Sequence, residues 1–354
     1  MEFKSRNIFI DTQSFVKMGL NFHHPSLQAF CELCKKQSLN HLTTSVVTRE
    51  VEGKITKAIS DALNSLHEFR RKARLLQKID DEKIKALFSE ITEEEVLDKA
   101  INVYREFLKE SKTKVLSADR VNPEVLLGLY FDRKPPFGDG KKKSEFPDAI
   151  SLLAILDSLG EEIAYVISED SDLEKFCSEN EQLINIDTLD KFLDLYNEHE
   201  SAITNLVKQH IADTTPAIKE RILELISKAE AYNEAPWEDS KVEYFSATEV
   251  YDIEPYVVWV DEEECLVTFD VDVDVEYTVT GPNFNEGFYD REDGRMYVFE
   301  NTSRTESTTM TFTVELGFFY EFDSGKLNNI KESEFYISGL TDGIAIYAEN
   351  DSYY

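Results

Sequence analysis

"AYVISEDSDLEKF", residues 164–176, decides how the first half of the chain is read. Its apolar run of Tyr165, Val166 and Ile167 stops at Ser168, and Glu169, Asp170 and Asp172 follow within four residues. A short apolar run bounded by polar residues is a buried strand. Its acidic end has two readings. It is a solvated turn, or its carboxylates meet others, distant in sequence, around a metal ion.

Working outward, strand and helix signals alternate. "NIFI" before Asp11 is a short buried strand, "SLQAFCELCKK" a helix and "HLTTSVV" a second strand. "TREVEGKITKAIS" opens a helix, and residues 54–118 keep a helical period, for example Leu63, Leu66, Phe69 and Ala73. "AISLLAILDSLG" is an apolar helix stopped by Gly160, and "QLINI" is a further strand. This alternation predicts an α/β fold: a parallel sheet flanked by helices, with a helical insertion at about 54–118.

Ligands of such sheets bind beyond the C-terminal ends of the strands, so acids in that place matter most. Asp11 ends the first strand and Glu50 follows the second. Asp148 follows Pro147, which favours the first turn of a helix. Asp170 and Asp172 follow the strand quoted above. Glu52 competes with Glu50, and Asp157 falls on the opposite helix face from Asp148. Four converging carboxylates cannot all stay ionised unaided. A divalent cation compensates them, and oxygen-only ligands select Mg²⁺ or Mn²⁺. Two such ions suit phosphodiester hydrolysis.

The pieces "NIFIDTQSF", "TTSVVTREV", "KKKSEFPDAI" and "YVISEDSDL", in that order, resemble PIN-domain nucleases, and most closely a bacterial PIN-like subgroup with a Lys-rich EFPDA segment. The resemblance covers roughly residues 6–195. It implies Asp11, Glu50, Asp148 and Asp170 as a catalytic, metal-binding quartet with Asp172 as an auxiliary ligand. It also implies that Thr12, Ser14 and Ser168 orient an acid or a substrate phosphate. The chain departs from small PIN toxins by its length between Glu50 and Asp148, where the insertion must form a lid, a substrate platform or a dimer surface.

Two basic stretches are candidates for phosphate. "EFRRKARLLQK" predicts Arg70, Arg71, Arg74 and Lys78 along one side of a helix. "RKPPFGDGKKK" runs into Asp148, so Lys141, Lys142 and Lys143 are the better substrate-binding candidates, set against a solvated loop.

The formal charge of -32 argues against nucleic-acid binding by bulk electrostatics, though not against a local basic track. The excess lies late: residues 241–354 hold 26 acids against 6 bases. There "FDVDVDVEYTV" alternates apolar and acidic residues as a half-buried antiparallel strand. Asp293-Gly294 marks a hairpin. The domains expected are 1–197, PIN-like; 198–240, helical extension and linker; and 241–354, an acidic, aromatic-rich antiparallel β domain. Solvation explains the acidic face of that last domain; a basic protein partner, or restraint of the nuclease in cis, is the other reading. Cys31 and Cys34 have zinc-like spacing but no second pair, and they fit a helical core face better.

No signal segment and no membrane span are read, and four cysteines fit a cytoplasmic protein. The function expected is a divalent-metal-dependent nuclease, an endoribonuclease in first place, with RNA as substrate and a toxin or defence role as an extension. A structure-selective DNA nuclease and a non-catalytic PIN-like scaffold are the alternatives, and a homo-oligomer is left open.

Overall fold

The computed structural model describes residues 2–137, 145–291, 295–323 and 325–350. The chain divides into two compact units, Met1–Tyr196 and Asn197–Tyr354, so residues 198–240 lie in the second.

The first unit runs β1 (Asn7–Ile10), α1 (Thr12–Lys17), α2 (Pro25–Lys35), β2 (Asn40–Thr44), α3 (Ser45–Lys72), α4 (Glu82–Ala86), α5 (Glu93–Glu110) and β3 (Lys114–Leu116). It continues α6 (Pro123–Asp132), α7 (Phe146–Leu159), β4 (Ala164–Ile167), α8 (Ser171–Ser178), β5 (Leu183–Ile186) and α9 (Leu189–Glu200), which crosses the division. The five strands make one parallel sheet in the order β3-β2-β1-β4-β5. All four residues of β4 are fully buried, as a central parallel strand requires. α7 buries Ala149, Leu152, Ile155 and Leu159 and ends at Gly160, whose φ of +61° favours glycine.

Three details differ from the periodicity. Val46 and Val47 belong to α3, because the Thr44 hydroxyl caps that helix by accepting from the Val47 N–H. Residues 114–116, inside the predicted helical stretch, pair with β2 as the edge strand β3. α3 ends at Lys72, so Arg74 and Lys78 are not on one helical stripe with Arg70; Arg70 itself donates to the carbonyls of Leu87 and Ser89. All four cysteines are free and buried, and Cys31 and Cys34 pack in the α2 core face.

The second unit holds α10 (Ile203–Ser227), β6 (Ala231–Asn233), β7 (Lys241–Val250), β8 (Tyr256–Val260), β9 (Glu264–Pro282), β10 (Phe288–Asp290), β11 (Arg295–Tyr297), β12 (Asn301–Asp323), β13 (Lys326–Ile337) and β14 (Ile344–Ile346). An antiparallel sheet runs β13-β12-β9-β7, with β8 also on β9, and β6 and β14 form a small parallel pair. The Asp293-Gly294 turn lies outside the described residues; the strands flanking it, β10 and β11, pair antiparallel.

Phe269, Val271, Val273, Val275, Tyr277 and Val279 of β9 share one core with Val207, Ile211, Ile222 and Ile226 of α10. On the opposite face Asp270, Asp272 and Asp274 accept hydrogen bonds of 2.7, 2.6 and 2.5 Å from Thr313, Thr311 and Thr309 of β12. The acidic face is thus a cross-strand ladder of carboxylates and hydroxyls. Gly281 is required by close approach: a Cβ there would stand 2.7 Å from the Trp237 indole, which donates to the Pro282 carbonyl. Among the described residues no helix is long and apolar enough to cross a membrane.

Candidate carboxylate site

Asp11 leaves the end of β1, where its N–H bonds the Ile167 carbonyl of β4 at 3.1 Å. Its side chain caps α1, accepting from the N–H groups of Thr12 (2.7 Å) and Gln13 (3.3 Å). One turn into α3, Glu50 accepts the Thr12 hydroxyl at 2.9 Å. Glu52 is occupied elsewhere, by the Arg105 guanidinium of α5 at 2.9 and 3.0 Å. Asp148 stands in the first turn of α7, after Pro147.

Electrostatics brings Asp11, Glu50 and Asp148 into one place. Burial pushes the Asp11 carboxyl up to about 6, with repulsion from Glu50 adding to it and the capping N–H groups opposing it. Burial likewise pushes Asp148 up to about 8, reinforced by a hydrogen bond with Glu145 and by the charges of Asp11 and Glu50. Glu145 occupies the N-cap position of α7, with no capping bond from its side chain, and is the member of the group that spacing did not single out. Its only sequence signal is its place in "EFPDAI", where it reads as a helix-start residue.

The β4 end behaves differently. Asp170 is exposed and caps α8, accepting the Asp172 N–H at 2.6 Å. Asp172 is buried and holds Lys175 at 3.1 Å. The link from this loop to Asp11 is Ser168. Its buried hydroxyl donates to Asp11 at 3.4 Å and accepts the Asp170 N–H at 3.1 Å. Ser14 donates to the Ile167 carbonyl at 3.1 Å, tying α1 to β4. Thr12 and Ser168 therefore orient acids, and Ser14 orients backbone. Lys141, Lys142 and Lys143 lie outside the described residues.

Among the described residues no group of three or more His, Cys, Asp or Glu side chains is placed to hold a metal ion. The donor chemistry nevertheless fits a hard divalent cation. Asp11, Glu50 and Asp148 are all-oxygen ligands, partly or wholly withdrawn from water, whose mutual repulsion a dication relieves.

A family model described as "PIN domain" matches residues 8–173, from β1 into α8. No curated protein and no solved structure matches the chain.

Proposed function

With residues 8–173 a PIN domain and so a nuclease-like fold, we propose that the protein is a divalent-metal-dependent nuclease that hydrolyses phosphodiester bonds, with RNA preferred to DNA. The observation that carries this reading is the meeting of Asp11, Glu50 and Asp148 from three separate elements beyond the C-terminal ends of parallel strands.

Asp11, Glu50 and Asp148 would hold Mg²⁺ or Mn²⁺, with Asp170 and Asp172 at the rim of the site. The cation, when bound, would supply a water more acidic than bulk water and positive charge for the phosphate. The chain's own residues do the positioning. Thr12 fixes the Glu50 carboxylate and Ser168 fixes Asp11. Asp148, next to Glu145, retains a proton near neutral pH until charge is neutralised beside it. Lys141, Lys142 and Lys143 are assigned to the substrate phosphate on sequence grounds. A toxin or defence role is the natural extension of an RNA-cutting activity.

The test is direct. Purified protein is incubated with labelled RNA, single-stranded DNA and flap DNA, in Mn²⁺ or in EDTA. Cleavage of RNA in Mn²⁺ that disappears in EDTA and in Asp11→Asn and Asp148→Asn is the expected result. Cutting of DNA alone moves the substrate to DNA. Binding without cutting in every condition makes the domain a scaffold. Growth arrest on expression, relieved by Asp148→Asn, supports the toxin role.

A further inference from the structure

β12 is 23 residues long, but its two edges are used unequally. One edge pairs with β9 from Asn301 to Phe319. The other pairs with β13 only from Val314 onward. The Thr313 carbonyl also accepts the Ser338 N–H at 2.9 Å, so among the described residues positions 301–312 have a strand partner on one side only.

A cavity of about 600 Å³ lies along this stretch, lined on one side by Glu306, Ser307, Thr308, Thr309, Met310 and Thr311. Side chains of a strand alternate between faces, so a cavity on one face touches every second residue. Six consecutive residues line this one, so it runs along the strand's edge. Its other wall is Ala345, Ile346 and Tyr347, also consecutive, from β14 and the residue after it. β14 bonds β6 alone, which leaves its second edge unpaired among the described residues. The cavity is a slot between two strand edges.

Such edges offer rows of main-chain N–H and C=O groups, and the partner that satisfies them is an extended peptide. Glu306 and Thr311 are five residue steps apart, about 17 Å at 3.3–3.4 Å per residue, so about six extended residues span the slot. The charge is also selective. Glu234 and Glu306 line the slot; Glu306 is ion-paired with Arg304 and accepts the Tyr277 hydroxyl at 3.2 Å, so the selectivity rests on Glu234 and on the unit as a whole, in which residues 241–354 hold 26 acids against 6 bases. A second copy of so acidic a unit is repelled, and a cationic peptide is drawn in.

We infer that the second unit binds a lysine- or arginine-bearing extended segment of another protein by strand addition between β12 and β14. The inference is independent of the nuclease reading, because every residue it uses lies in Asn197–Tyr354.

The test uses the full-length chain and three fluorescein-labelled octapeptides at physiological salt. They are alternating Lys-Val, alternating Glu-Val, and a Lys-Pro version with the same charge but no strand hydrogen bonding. Fluorescence anisotropy is expected to show at least tenfold tighter binding of Lys-Val than of either other peptide. Hydrogen exchange should slow at 307–311 and 344–346 when it binds. Glu234→Lys should weaken binding at least tenfold while leaving the thermal transition in place; if that variant does not fold, the exchange pattern of the wild type decides. Equal binding of the Lys-Pro peptide reduces the effect to bulk charge and overturns the inference. So does absence of binding. Edge amides already protected in the free protein also overturn it; light scattering and deletion of residues 351–354 then identify a second copy or the chain's own end as the occupant.

Discussion

The hydroxyl of Thr12 donates to the carboxylate of Glu50 across 2.9 Å, which ties the first turn of α1 to α3 at the place where Asp11 and Asp148 also meet. Thr12 is the residue immediately after Asp11 and is itself buried. The bond therefore sets the direction of one acid relative to its neighbours. Thr12→Ala should lower cleavage about tenfold, the equivalent of one hydrogen bond of about 1–1.5 kcal/mol, and Thr12→Ser should restore it. Equal loss in both variants would show that the methyl group, not the hydroxyl, matters.

Asp148 makes stability depend on pH. The unfolded chain releases this proton near 3.8 and the folded one near 8. Between those values the folded state binds more protons, so stability falls as pH rises through the window. Asp148→Asn removes the effect. At pH 8 the variant should be more stable than wild type by about 1–3 kcal/mol, less than the full shift because neighbouring acids relax together. The gain should shrink toward pH 5. Thermal melts at the two values check it, and a gain independent of pH would point to packing instead.

Metal should replace that penalty with a gain. In Mn²⁺ at a hundredfold excess over its Kd, wild type should gain about 2.7 kcal/mol, read as a rise in Tm. Asp11→Asn and Asp148→Asn should lose most of the rise. Asp170→Asn is the informative variant, because Asn caps a helix as well as Asp does. Its metal-free Tm should match wild type and its Mn²⁺ shift should be smaller. An unchanged shift would assign Asp170 to capping α8 alone.

Replacing Lys141, Lys142 and Lys143 with Ala should weaken substrate binding and flatten its salt dependence by about one unit of slope per lost phosphate contact. Titrations of labelled RNA in EDTA at several salt concentrations measure this without cleavage.

Gly281→Ala should destabilise the second unit by about 1–3 kcal/mol, because the added Cβ meets the Trp237 ring at 2.7 Å and Ser240 Cβ at 2.9 Å. Trp237 fluorescence should report the loss directly. An unaltered melt would mean that the indole moves aside at no cost.

Much of this architecture was legible because it rests on patterns the chain must display locally. The four buried residues of β4 and the alternation along β9 are direct consequences of burial on two faces and on one. Asp11 and Asp148 stand out because each follows an apolar or Pro-marked boundary. What stayed hidden depends on distant partners. Glu50 and Glu52 differ in what reaches them, Thr12 from one side and Arg105, 53 residues on, from the other. β3 is three residues long with Val115 half exposed, too short to interrupt a helical period. The Asp–Thr ladder joins residues about 40 positions apart, a register no local pattern encodes.

The four buried thiols give the molecule built-in clocks. Burial pushes Cys34, Cys177 and Cys265 up to about 12, and Cys31 upward as well, so the native protein holds almost no thiolate for an alkylating reagent. Labelling can proceed only through opening. Cys31, Cys34 and Cys177 belong to the first unit and Cys265 to the second. Mass-resolved alkylation in increasing urea therefore times the two units separately within one unmodified chain, and coincident labelling of Cys177 and Cys265 would mean that they open as one.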